Sequence, residues 1–233
     1  MRVRTASDIA PNRHVLHPFD AQNGTDTGDY VLPRELAAGN EHDSLNYGYS
    51  AIAPSVFREA LARWRGTLPG GSRRITAYTF VDIGCGKGRA VLLAAEAPFR
   101  KVIGVELNED LARTARRNVA RWNSVARPRA RVRVMNADAM QFRWPRGPLL
   151  VYLYNPFACE LVERLATKLA GAAAPASRLV DLLYVNPTCA DVLSRQGKFS
   201  LVWTTRIDMD EPDQAADPYG TTWDRVSAYR LRH

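Results

Sequence analysis

Residues 80–89 read Phe-Val-Asp-Ile-Gly-Cys-Gly-Lys-Gly-Arg, and an Ala/Leu-rich stretch follows to Ala97. No other feature constrains the fold as strongly. An apolar strand has to end in a turn tight enough to need glycine, and a helix has to begin there with unpaired N–H groups aimed back at the turn. Two ligand types suit such a loop. A dinucleotide site spaces its glycines G-x-G-x-x-G, which would put the third at position 89, but Arg stands there and the glycine is Gly88. Asp82, two residues before Gly84, suits a cationic ligand better than a pyrophosphate.

The rest of the chain after residue 75 alternates in the same way. Strands are expected at Tyr78–Ile83, Lys101–Leu107, Arg131–Met135, Leu149–Tyr154 and Leu179–Val185. Helices are expected at Gly88–Ala97, Asp110–Trp122 (capped by Asn108), Glu160–Ala170 and Ala190–Arg195. Phe199–Ile207 and Arg225–Leu231 alternate in polarity and read as a final antiparallel pair. The pattern predicts an α/β fold, a mostly parallel sheet with helices on both faces. Upstream, residues 1–46 are polar and broken by Pro, Gly, Asn and Asp, with one short strand or helix around Tyr30–Leu36. Val56, Phe57, Leu61 and Trp64 recur at helical spacing behind Ser55 as the expected N-cap. Pro69-Gly70-Gly71-Ser72 then marks a boundary, giving an N-terminal segment and helix over 1–74 and a ligand-binding domain over 75–233.

Two further carboxylates end strands. Glu106 closes Val102-Ile103-Gly104-Val105-Glu106, where a carboxylate can accept from ribose hydroxyls, and Asp138 follows the third strand, placed to meet an adenine amino group. Taken together, Asp82–Gly88, Glu106 and Asp138 resemble the cofactor site of the class I S-adenosylmethionine-dependent methyltransferases, over about residues 76–231. The resemblance implies a Rossmann-like seven-stranded sheet in the order 3-2-1-4-5-7-6, with an antiparallel C-terminal edge hairpin and an N-terminal lid. It also implies S-adenosylmethionine contacts at Asp82, Gly84, Cys85, Gly86, Gly88, Arg89, Glu106, Leu107, Asp138, Ala139, Asn155 and, from the lid, Tyr49. The lid would be formed by Thr25–Gly28 and Asn46–Ser50, with Gly28 and Gly48 giving it mobility.

The fourth strand ends Tyr154-Asn155-Pro156-Phe157, which resembles the Asn-Pro-Pro-Tyr/Phe turn of amino-group methyltransferases without its second proline. There the Asn carbonyl and a backbone carbonyl bind the attacking amine, and the aromatic ring covers it. The fifth strand ends in the similar Tyr184-Val185-Asn186-Pro187, which would bring Tyr154, Asn155, Tyr184 and Asn186 near the sulfonium, where tyrosine faces attract a cation. The implied catalytic residues are Asn155, Pro156, Phe157, Tyr184 and Tyr154. The reading is methyl transfer to a nitrogen or oxygen of a small molecule or protein side chain, with S-adenosylhomocysteine as product and no metal. The same fold leaves open a cyclase that breaks the aminocarboxypropyl arm, giving azetidine-2-carboxylate and methylthioadenosine. A protein-lysine or nucleic-acid methyltransferase is a further alternative.

Composition narrows the setting. Cys85, Cys159 and Cys189 are odd in number and widely spaced, which predicts no disulfide framework, no zinc site and a reducing compartment. The first twenty residues hold no apolar run, and no stretch is apolar enough to span a membrane, so a cytoplasmic protein is expected. The histidines are His14, His17, His42 and His233; the first two are expected at the surface. The acidic stretch Asp208–Asp217 reads as a solvated hairpin loop. The net charge of +8 is carried by 28 Arg against 4 Lys. Ten arginines fall between Arg113 and Arg146 with Asp138 as the one acid there, so the excess sits on one flank. With acid rather than base expected around the reacting centre, the charge argues against a nucleic-acid substrate and reads as a basic flank for solubility or an anionic partner.

Overall fold

A computed structural model describes residues 16–37, 39, 41–68, 70–125, 128–173, 179–195, 197–217 and 220–232. Its elements run α1 (Pro18–Asn23), β1 (Tyr30–Val31), α2 (Pro33–Leu36), β2 (Tyr49–Ser50), α3 (Pro54–Gly66), β3 (Thr79–Ile83), α4 (Arg89–Ala95), β4 (Lys101–Glu106), α5 (Glu109–Val125), β5 (Val132–Asn136), β6 (Leu149–Tyr154), α6 (Cys159–Ala173), β7 (Val180–Val185), α7 (Ala190–Arg195), β8 (Phe199–Asp208), α8 (Glu211–Ala216) and β9 (Trp223–Leu231).

Seven strands form one sheet in the order β5-β4-β3-β6-β7-β9-β8. Counted from β3, that is the expected 3-2-1-4-5-7-6. The five strands β5, β4, β3, β6 and β7 are parallel, and β9 pairs antiparallel with both β7 and β8. Every residue of β3 and β7 is buried, as continuous apolar runs at a sheet centre require. β8, at the sheet's edge, instead buries only Phe199 and Ile207 and leaves its other positions half-buried or exposed.

Two cores flank the sheet. On one face α3, α4 and α5 pack Val56, Phe57, Trp64, Leu92 and Trp122 against Phe80, Val102 and Tyr152. On the other, α6 and α7 pack Leu161, Leu165, Leu169 and Leu193 against Ile83, Val151 and Leu182. Asp181 is buried in β7, where Arg230, the Trp64 indole and the Tyr78 hydroxyl all donate to it. Asn108 caps α5 as expected, accepting from the Leu111 amide at 3.0 Å.

Several expectations are corrected. Ala53, not Ser55, precedes the first residue of α3, because Pro54 occupies that first position; Ser55 donates from both its amide and its hydroxyl to Asp213. The acidic stretch is not a plain loop. It folds into α8, capped by Asp210, and its Asp213 is buried against Ser55 and His17. His17 is therefore a buried partner, 3.2 Å from Asp213, and not a surface residue; His14 lies outside the described residues. Cys159 and Cys189 are joined in a disulfide, which overturns the reading of three unpaired cysteines. Thirty residues separate them in sequence, yet they follow the C-terminal ends of the adjacent parallel strands β6 and β7, and pairing those strands sets their Cα atoms 5.2 Å apart. Cys85 is the free, buried cysteine among the described residues.

Candidate active site

A cleft opens over the C-terminal ends of β3, β4, β5 and β6, where an open α/β sheet binds its ligands. Asp82 ends up here because β3 delivers it beside Tyr152 of β6 in register. Its carboxylate is buried and has no hydrogen-bond partner among the described residues. Burial first, and Glu106 second, push its pKa well above the usual carboxylate value.

Glu106 is held differently. Its two carboxylate oxygens accept from the Gly86 and Asn108 amides, each at 2.8 Å, which fixes the group while leaving lone pairs toward the cleft. Burial raises its pKa, and the amide donors oppose that shift. Asp138 uses one oxygen on the Met140 amide at 2.7 Å. Three carboxylates thus converge on one crevice without a basic side chain neutralising Asp82, a donor set that fits a cationic nucleoside ligand.

The glycines do steric work. Gly84 has φ +73, and a Cβ there would meet Pro156 Cβ at 2.8 Å, so the glycine loop and the β6 turn pack in direct contact. Gly86 has φ +54, and a Cβ there would lie 2.0 Å from the Tyr49 ring. Tyr49 reaches that place from the N-terminal segment, its hydroxyl donating to the Thr27 carbonyl at 2.6 Å.

That segment is bound to the loop by charge. Arg89, standing where a dinucleotide loop would have glycine, is buried and pairs with buried Asp20 at 3.0 Å. Arg89 also donates to Thr27, while Thr25 and Thr27 donate to Asp20. Lys87 pairs with Asp26 at 2.8 Å and Asp29 at 2.9 Å. Asn118 of α5 joins Asp26 to the Lys87 carbonyl. Further along, the chain crosses the rim of the cleft: Asn108 donates to the Leu36 carbonyl, Ala158 N–H to Leu45, and Tyr47 N–H to the Pro156 carbonyl at 3.1 Å.

Of the residues expected to bind the cofactor, Asp82, Gly84, Cys85, Gly86, Arg89, Glu106, Leu107, Asp138, Ala139 and Tyr49 line the cleft. Gly88 does not; it packs beneath the loop on Ala115. Tyr154, Pro156 and Phe157 line the cleft too, but Asn155 does not. Asn155 takes φ +41, and its side-chain carbonyl turns toward β7, accepting from Thr188 at 2.7 Å and from Tyr184 at 3.1 Å. Tyr184 is fully buried in the second core, its pKa pushed up to about 12 mainly by burial. Asn186 is engaged by Asp224 and the Arg225 amide. The β7 end therefore braces the β6 turn and does not face the cleft.

Sequence reasoning missed His42 and Asp43, which line the cleft from the N-terminal segment, and the Asp20–Arg89 lock beneath it. Nothing in the polar 1–46 stretch distinguishes His42. Arg89 did carry a signal, as the one charge in the apolar helix Arg89–Ala95.

Residues 80–158, about a third of the chain, match the family described as a methyltransferase domain. The chain has the fold of the class I S-adenosylmethionine-dependent methyltransferases. Two solved structures illustrate the likeness. TrmN from Thermus thermophilus has 22% identity and a TM-score of 0.50, covering 78% of this chain and 49% of that one, so the match spans about half of TrmN. An RNA methyltransferase from Salinibacter ruber, solved in complex with S-adenosyl-L-homocysteine, has 14% identity and a TM-score of 0.50, covering 79% and 95%. No curated protein sequence matches this chain. S-adenosylmethionine is the cofactor of this methyltransferase fold. Among the described residues no cluster of ligating side chains forms a metal site, and no helix is long and apolar enough to cross a membrane.

Proposed function

We propose that this protein transfers the methyl group of S-adenosylmethionine to a nitrogen or oxygen of a small molecule or an extended protein side chain. The observation that carries the reading is the enclosure of the cleft. The Asp20–Arg89 and Lys87–Asp26 pairs and the Tyr47–Pro156 backbone bond close the N-terminal segment over the glycine loop and the β6 turn. In this reading a narrow acceptor enters beside Tyr47, the exposed large side chain on the rim, and the enclosure favours it over a duplex or a folded surface.

When bound, S-adenosylmethionine supplies a methyl carbon already activated by a positive sulfur. The chain then has to hold and align the two reactants. Asp82 would offer negative charge to the cationic end, Glu106 would accept from ribose hydroxyls, and Asp138 would accept from the adenine amino group. Tyr154 and Phe157 give the reacting centre aromatic walls that favour a cation. His42 also lines the cleft, from the N-terminal segment.

The Asn155-Pro156-Phe157 turn has a positioning role in this reading. The Asn155 side-chain carbonyl already takes two hydroxyl donors and is not left open to an incoming amine, and the Pro156 carbonyl takes the Tyr47 amide with one of its two lone pairs.

The test is product analysis. The protein is incubated with S-adenosylmethionine alone and with a panel of phenols, carboxylic acids, amines and peptides. S-adenosylhomocysteine that appears only with an acceptor supports methyl transfer. Methylthioadenosine without acceptor overturns it in favour of the cyclase. Calorimetry on Asp82→Asn and Glu106→Gln checks the site: unchanged cofactor affinity in both would overturn the assignment of these residues.

A further inference from the structure

The arginines between positions 113 and 146 come together as one surface. All nine described ones are exposed: Arg113, Arg116, Arg117 and Arg121 on α5, Arg129, Arg131 and Arg133 at and before β5, and Arg143 and Arg146 in the turn after it. On α5 they fall at spacings of three and four, which makes the solvent face of the helix a stripe about 12 Å long at 1.5 Å per residue. β5 lies at the sheet edge and pairs on one side with β4, so its arginines continue the stripe around that edge. Arg116 bridges the two elements, donating to the Val134 carbonyl.

Charge pairing is nearly absent from this face. Arg113 meets Glu109 and Asp110, whereas the other eight have no acidic partner among the described residues. Elsewhere several arginines are paired, Arg58 with Glu96, Arg63 with Glu59, Arg195 with Asp191, Arg206 with Asp208 and Arg230 with Asp181, and the unpaired ones are not gathered in one run of the chain. Shielding an exposed sheet edge against other strands accounts for Arg131 and Arg133, but the α5 stripe is not on that edge. A membrane surface would want apolar side chains among the charges, and the only large exposed one here among the described residues is Val125.

We propose that the α5–β5 face docks a nucleic-acid phosphate backbone. Arginine presents a planar fork that binds phosphate oxygens in pairs, and eight unneutralised guanidinium groups on one face match a polyanion. The site is separate from the enclosed cleft; it adjoins the cleft where β5 runs toward Asp138. It would tether the protein beside a nucleic acid, or beside particles that carry one, without feeding a base to the acceptor rim.

The test is fluorescence anisotropy with labelled 20-nucleotide probes of single-stranded RNA, single-stranded DNA and duplex DNA, at 50 and 200 mM salt. Binding of at least one probe in the micromolar range at low salt is expected, with a log–log salt slope near 0.7 to 0.9 per phosphate contact. The triple variant Arg116→Glu/Arg117→Glu/Arg133→Glu should weaken it by at least about tenfold and flatten the slope. Arg63→Glu/Arg195→Glu/Arg206→Glu changes the net charge equally from other faces and should bind within about twofold of the parent. Cofactor affinity, measured on the same samples, should stay at the parent value in both and reports folding. Absence of binding to all three probes at 50 mM salt overturns the proposal. So does equal weakening by the two triple variants, or tighter binding to phosphatidylserine vesicles than to any nucleic acid.

Discussion

The contact between Gly86 and Tyr49 joins the N-terminal segment to the glycine loop, and a double-mutant cycle isolates it. Gly86→Ala places a methyl group 2.0 Å from the Tyr49 ring at a residue with φ +54. The left-handed backbone costs about 1–2 kcal/mol for a residue with a Cβ. Displacing a buried ring from a packed site adds about 1–3 kcal/mol. Tyr49→Ala by itself removes a buried aromatic and costs about 3–5 kcal/mol. In the double variant the clash has nothing to strike, so the loss should fall short of the sum of the single losses by about 1–3 kcal/mol, leaving the backbone cost in place. Tyr49→Phe keeps the ring, loses only the hydroxyl bond to Thr27, and should show almost none of this relief when combined with Gly86→Ala. Urea unfolding gives the stabilities, and calorimetric titration with S-adenosylmethionine shows whether cofactor affinity follows the same pattern. Additivity within about 0.5 kcal/mol would refute the argument, because it would mean that the ring does not rest on the loop.

Three further outcomes follow from the charges and the cross-link. Asp82 is held above the ordinary carboxylate pKa by burial and by Glu106, and a cationic ligand binds its ionised form; S-adenosylmethionine affinity should therefore rise with pH through the raised pKa and release a proton. Calorimetry in buffers of different ionisation enthalpy reads that proton, and Asp82→Asn should abolish it. Asp224 rises from 3.8 to about 6, mainly through burial, so the folded state binds its proton more tightly than the unfolded chain. Stability should fall as pH rises from about 4 to 6 and stay lowered above, a loss on the order of 3 kcal/mol, and Asp224→Asn should recover most of it at pH 8 in urea unfolding. Reducing Cys159–Cys189 opens a 30-residue loop and should cost about 3–4 kcal/mol; a melting temperature unmoved by a dithiol reductant would contradict this.

The carboxylates and glycines that line the cleft were legible because they are local. Asp82, Gly84 and Gly86 lie within five residues, and Glu106 and Asp138 each follow a strand whose apolar run is visible in the chain. Strand–helix periodicity likewise placed β3 to β9 to within a residue or two at most ends. The acceptor half was misjudged where side-chain direction mattered. The Tyr184 and Asn186 phrases look like site residues, yet the alternation of β7 turns Tyr184 into the second core, and Asn186 closes on Asp224.

By itself, then, the sequence determined the strands, the helices and the carboxylates that end the strands, since each depends on periodicity and on turns a few residues long, whereas the strand order came with the family resemblance. Only the tertiary structure decided what closes over them. Asp20 finds Arg89 across 69 positions, Tyr49 finds Gly86, and Cys159 finds Cys189, because the N-terminal segment packs on the glycine loop and β6 pairs with β7. No spacing rule announces such partners. They are selected by the cost of leaving a buried charge or ring unmatched once the chain has folded.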